Sequence, residues 1–318
     1  MTAALDIRDA STFPSRRVEA WRYSDLRRLL REAPAPSGTA QVGAPGPFYD
    51  LGGEAIVFAN GRPVGVTDFI AGGEQTLRLR FISDATGTAH AASARVSARP
   101  GAKLLLLESH EGQGSAYLAH NRLELDVASG ADVTRIVLVE EPEDAMSVTE
   151  ARVRVEAGGV YRQTIVATGA RLQRLETQLT HGGEGAEVRM DGLYLLNGAR
   201  HVDMTTVADH VAPNGATSQL TKGVARDTGR GVFQGKIVVR RGADDTDARM
   251  GHHALIASER AEIDAKPELI IYADDVQCAH GNTVGNLDER ALFYMQQRGI
   301  PADEAQALLR DLRPWVFA

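Results

Sequence analysis

The chain has 318 residues, 43% of them hydrophobic and only 5% aromatic, with 32 glycines and a formal net charge of −7. So acidic a balance argues against sequence-independent binding to nucleic acid or anionic lipid, which needs a basic surface. A single cysteine permits no internal disulfide, the N-terminus carries no apolar leader, and no apolar run approaches ~18 residues, so the sequence predicts a soluble cytoplasmic protein with no membrane span.

From the N-terminus, EAWRYSDLRRLL (Glu19 to Leu30) reads as a short amphipathic helix with Trp21, Leu26, Leu29 and Leu30 on one broad face. A Pro/Gly/Ala-rich linker, APAPSGTAQVGAPGPF, follows. Next comes an internal repeat. VSARPGAKLLLLE, LDVASGADVTRIVLVE, VRVEAGGVYRQTIVA and LTHGGEGAEVRMDGLYL each pair a short alternating run with a small-residue turn and a second apolar run. Their marker glycines, Gly101, Gly130, Gly158 and Gly185, are 29, 28 and 27 residues apart, and weaker echoes at Gly215 and Gly242 continue the series. Alternation such as RLELDV (Arg122 to Val127) sends one set of side chains inward and the other to water. A stack of such coils is a β-helix; a β-sandwich with evenly spaced hairpins is the alternative. Glycine at the corners takes positive φ at little cost.

The C-terminal end is helical. NLDERALFYMQQRG (Asn286 to Gly299) offers Asn286 or Asp288 as a cap and Gly299 as a stop, and Pro301 opens a second helix, PADEAQALLRDL. The predicted organisation is a helical region and linker over 1–75, a β-helix core over 76–285 and a helical region over 286–318. Helices at both ends suit a solenoid, whose terminal rungs otherwise leave unpaired edges.

No motif supplies nucleotide chemistry. GVFQGKIVV has Gly235 and Lys236, but Arg230 and Ile237 stand where a Walker A loop needs Gly and Ser/Thr. Asp244, Asp245 and Asp247 lie near His252 and His253, but adjacent histidines on a strand face opposite ways, so a solvated turn is the better reading. The same holds for Asp274 and Asp275, while His181, His201 and His210 are scattered along the sequence and each reads as a surface or core residue instead of a ligand. Cys278 and His280 differ. At i and i+2 of a strand they share a face, with Cα atoms roughly 6.5–7 Å apart. Spacing alone leaves open whether they meet a common ligand or partner, or whether Cys278 is a packed small hydrophobe.

The stretches Pro267 to Asp288 and Leu292 to Ile300 resemble the signature of the SufB/SufD family of iron–sulfur cluster assembly proteins. KGV from Lys222, RGVFQGKIVV from Arg230, TDA from Thr246 and EAWRYSDLR from Glu19 resemble the same family in the same order. The pattern DDVxCxHGxTVGxLD is similar to the SufD branch. The resemblance implies a right-handed parallel β-helix with small N- and C-terminal α-helical regions. It also implies a non-catalytic scaffold subunit of a SufBCD-type complex, which pairs with a SufB-like chain and a SufC-like ABC ATPase and is able to form a homodimer when alone. Carried over by position, the resemblance implies His280, with Cys278 second, as a metal ligand or organiser of a nascent iron–sulfur site shared with the SufB-like partner, and no intrinsic cofactor. One cysteine is too few for a cluster that takes about four protein ligands, so a shared site accounts for the count. Leu292, Phe293, Tyr294 and Arg298 fall in the helical region implied to dock the ATPase. Two rival readings are a self-associating structural β-helix with no metal role and a carbohydrate-active β-helix enzyme.

Overall fold

The computed structural model describes residues 5–286, 289–301 and 304, with the side chains of the C-terminal helix described from Phe293 onward. A first, irregular group of strands comprises β1 (Glu54–Ala59), β2 (Arg62–Pro63) and β3 (Asp68–Ala71). The regular rungs then alternate between two sheets: β4 (Glu74–Ser83), β5 (Ala89–Ala98), β6 (Lys103–Gly112), β7 (Leu118–Val127), β8 (Asp132–Glu140) and β9 (Met146–Val155). They continue as β10 (Val160–Ala167), β11 (Leu172–His181), β12 (Glu187–Leu196), β13 (His201–His210), β14 (Ala216–Ala225) and β15 (Arg230–Val239). β16 (Asp247–Ile256), β17 (Glu262–Ile271) and β18 (Gln277–Asn286) finish the stack.

Even-numbered strands from β4 onward, with β1 and β2, make a ten-stranded sheet ending at β18; odd-numbered ones make an eight-stranded sheet ending at β17. All pairs are parallel except the β1–β2 hairpin. The molecule is therefore a parallel β-solenoid of about eight turns, with two strands per turn, and the sandwich alternative is excluded. Gly101, Gly130, Gly158, Gly185 and Gly242 all have positive φ, as the corner reading requires. Gly215 does not; its neighbour Asn214 takes the left-handed conformation there instead, with φ 57°.

The alternation buries a lumen between the sheets. Leu104, Val133, Tyr161 and Val188 stack on one inward column of the ten-stranded sheet, and Val96, Leu125 and Val153 on one of the other. The lumen also holds charge. Arg135 and Glu108 are fully buried, with Arg135 Nε donating to Glu108 Oε2 at 2.9 Å and Nη1 to Gln163 Oε1 at 2.8 Å. Burial alone would raise the Glu108 carboxyl, but Arg135 and His110 outweigh it and hold the group down at about 2.

The N-terminal region departs from the predicted helix. Glu19–Trp21 is a 3-10 turn, and a one-turn helix, α1 (Leu26–Leu29), is capped separately by Asp25, whose side chain accepts from the Arg28 amide. The segment also lies along the side of the solenoid instead of capping its end. Leu5, Ile7, Phe13, Trp21 and Leu26 pack on Ala89, Leu118, Met146, Val148 and Leu172, on the outer face of the eight-stranded sheet. Trp21 stacks on the Arg174 guanidinium at 4.4 Å, and Arg174 is held in turn by Asp203. At the other end, α2 (Glu289–Gln297) stops before Gly299, which has positive φ as predicted. Of the two proposed caps, Asn286 is the last residue of β18 and Asp288 lies outside the described residues, as does nearly all of the second C-terminal helix.

Candidate functional site

The last turn of the solenoid is built differently from the others by position alone. In the ten-stranded sheet, Ala248 pairs with Cys278, Met250 with His280 and His252 with Asn282. Ala248, Met250 and His252 are all buried inward residues, so Cys278, His280 and Asn282 continue three lumenal columns. The column ending at His280 runs through Arg135, Gln163, Met190, Gln219 and Met250. Each of those five is buried, yet His280 and Asn282 are exposed and Cys278 is half-buried. The reason is that β18 and β17 are the outermost strands of their sheets, and among the described residues no strand pairs with their free edges. Positions that would be core in any inner turn are here presented to solvent.

Cys278 packs against the lumenal core beside Leu269, Ala273 and Val276. Burial pushes its thiol up, and the Asp247 carboxylate adds to the shift against an opposing backbone hydrogen bond at Ala248. In the isolated chain the sulfur is therefore a thiol; a cation brought near it would be needed to favour the thiolate that binds metal. Among the described residues, no three His, Cys, Asp or Glu side chains converge as a complete metal site. Cys278 and His280 place one thiol and one imidazole on a common face.

A buried relay supports the strand. His252 Nδ1 and Asn282 Oδ1 are 2.8 Å apart; because the amide oxygen only accepts, Nδ1 donates. His252 Nε2 then accepts from Tyr194 Oη at 3.0 Å, and the Phe233 ring stacks on the imidazole at 5.0 Å. Burial keeps His252 neutral by lowering its pKa. His252 and His253 do face opposite ways, one buried and one exposed, and Asp245 sits in a turn with φ 56°. Asn282 was readable from the sequence, since it is i+2 from His280; Tyr194 was not, because its contact crosses 58 residues. His181 and His210 are core residues, their buried rings stacked at 3.8 Å across adjacent turns.

In α2, Phe293 and Tyr294 are exposed and Arg298 lies over the Tyr294 ring at 5.0 Å. The Leu292 side chain lies outside the described residues.

The family model for "SUF system FeS cluster assembly, SufBD core domain" matches residues 81–311, most of the solenoid and α2. The chain belongs to the SufBD family. Iron–sulfur cluster assembly protein SufD of Escherichia coli is 31% identical over 243 residues, covering 66% of this chain and 57% of that protein. Protein ABCI7, chloroplastic, of Arabidopsis thaliana is 30% identical over 248 residues, covering 74% and 52%. A SufBD family protein of Synechocystis is 32% identical over 188 residues, covering 59% and 42%. This SufBD chain thus spans about half the length of the curated relatives it matches. The matched region includes the whole of β18 and its lumenal columns.

Proposed function

We propose that this SufBD chain is a non-catalytic scaffold subunit in iron–sulfur cluster assembly, contributing half of a cluster site at the open end of its solenoid. The carrying observation is His280: an imidazole on a lumenal column, beside Cys278, exposed only because the stack ends there. A SufB-like chain pairing with the free edges of β17 and β18 would bring the missing ligands, with the cluster as cargo, and bury both donors. ATP hydrolysis belongs to a SufC-like partner docking near Phe293, Tyr294 and Arg298. No helix among the described residues is long and apolar enough to cross a membrane.

Co-purification with SufB-like and SufC-like chains tests the partner claim, and anaerobic reconstitution read by visible absorbance tests the site. His280→Ala is expected to leave the complex intact and reduce cluster accumulation at least about fivefold, with Cys278→Ala giving a smaller loss, since one ligand of about four is removed. Full cluster formation on the His280→Ala complex would refute the ligand role. In isolation the same edges suit a second copy, so homodimer formation by the lone chain is expected and is lost when the partner binds.

A further inference from the structure

At the opposite end of the solenoid, a cleft of about 540 Å³ opens between the N-terminal segment and the first turns. Its size falls within the range of small-molecule sites, roughly 300–1,000 Å³. Three guanidiniums converge on it, Arg8, Arg62 and Arg122, against one carboxylate, Asp6. In a chain with a net charge of −7 this local excess of positive charge is unexpected.

The cations are also underused. Among the described residues, neither Arg8 nor Arg62 has a carboxylate within ion-pair distance, and the Asp6 side chain accepts instead from the Arg8 amide. Arg122 Nε makes only a long ion pair, with Glu150 Oε2 at 3.7 Å, and no hydrogen bond.

The walls are held in place before any ligand arrives. The Asn60–Gly61 turn of the β1–β2 hairpin brings Arg62 to the rim, with Gly61 at φ 75° so close to the Ala91 carbonyl that any Cβ would collide. Asn60 bonds the Gly38 and Asp84 carbonyls at 3.2 and 3.0 Å, tying the N-terminal segment to the sheet. Ser37 and Leu5 carbonyls accept from Arg62 and Arg122 at 3.2 and 3.4 Å, which aims both forks. Leu5, Ile7 and Pro36 add apolar wall.

We infer that this cleft binds a small phosphate-bearing organic molecule, its phosphate on the forks of Arg62 and Arg122 with Arg8 closing over it. Guanidiniums match phosphate oxygens two at a time, and the apolar wall takes the organic part. The cleft is independent of the cluster site: β5 and β7 lie five to six strands from β17, about 24–29 Å along the stack.

Isothermal titration of the full chain with AMP and with inorganic phosphate decides the matter. Saturable binding is expected for both, tighter for AMP, and weakened at least tenfold by Arg62→Gln and by Arg122→Gln, while Arg249→Gln on the other sheet has no effect. Arg8→Gln, at an exposed position, serves if Arg122→Gln does not fold. The proposal is overturned by absence of saturation, by phosphate binding as tightly as AMP, or by equal losses in Arg249→Gln.

Discussion

His181 and His210 close β11 and β13 with their rings face to face, and each has Nε2 within 2.9 Å of the single Thr217 hydroxyl. One hydroxyl proton serves only one of them, so the other imidazole must donate, and both are neutral. Burial lowers His210 to about 4 and His181 to about 2, and it lowers the buried His90 to about 4. The unfolded chain, with imidazoles near 6.5, then binds more protons than the folded chain below that pH. Stability is fully present above pH 6.5 and falls as pH drops towards 4, by roughly 2 kcal/mol per imidazole between pH 7 and 5. The expected outcome for His181→Val/His210→Val is a loss between pH 7 and 5 that is smaller than the parent's by about 2–4 kcal/mol, measured by denaturant unfolding. An unchanged slope would show that other groups set the acid limit.

At the level of the element, each turn is a pair of strands joined by corners whose glycines recur in the sequence. Those corners are legible because φ > 0 is a local requirement that few residues meet. Gly215 is instructive because it kept the period for another reason. Its missing Cβ would lie 2.8 Å from His210 Nδ1 and 3.2 Å from His181 Nδ1, so the site needs the space, while Asn214 makes the left-handed turn. Gly215→Ala is expected to cost about 1–3 kcal/mol through overpacking. Asn214→Gly, which keeps the backbone conformation, is expected to change stability by less than about 0.5 kcal/mol. Equal effects in thermal unfolding would contradict this division of roles. The predicted helix over Glu19 to Leu30 failed by the same logic in reverse. Its apolar spacing is real, but Trp21 is taken up by Arg174 and Asp25 caps a fresh turn, contacts no local pattern contains.

Across the whole molecule, two features give the solenoid its polarity. The N-terminal segment is fastened along one side, with Ser24 Oγ donating to Asp203 Oδ2 at 2.5 Å and Lys266 paired to Glu19, so residues near the start bind β13 and β17. Trp21→Ala is expected to cost about 3–5 kcal/mol and to expose the segment to proteolysis before the solenoid itself unfolds. Simultaneous loss of both would show that segment and stack are one cooperative unit. The other feature is the pair of ten-residue end strands, β17 and β18, each with one edge that no strand pairs with among the described residues. Free edges of that length invite pairing, which is a hazard for a lone chain and an asset for a subunit.

The sequence by itself determined the repeat, its two-faced strands and the shared face of Cys278 and His280, because strand periodicity and corner chemistry are written within a few residues. It also carried the family signature, concentrated in the last two turns. Only the tertiary structure decided that the shared face is lumenal, that the stack ends there and leaves it open, and that Asn282, His252 and Tyr194 brace it. Those relations join residues one or more turns apart, and stacking, not any local preference, sets which side chains meet.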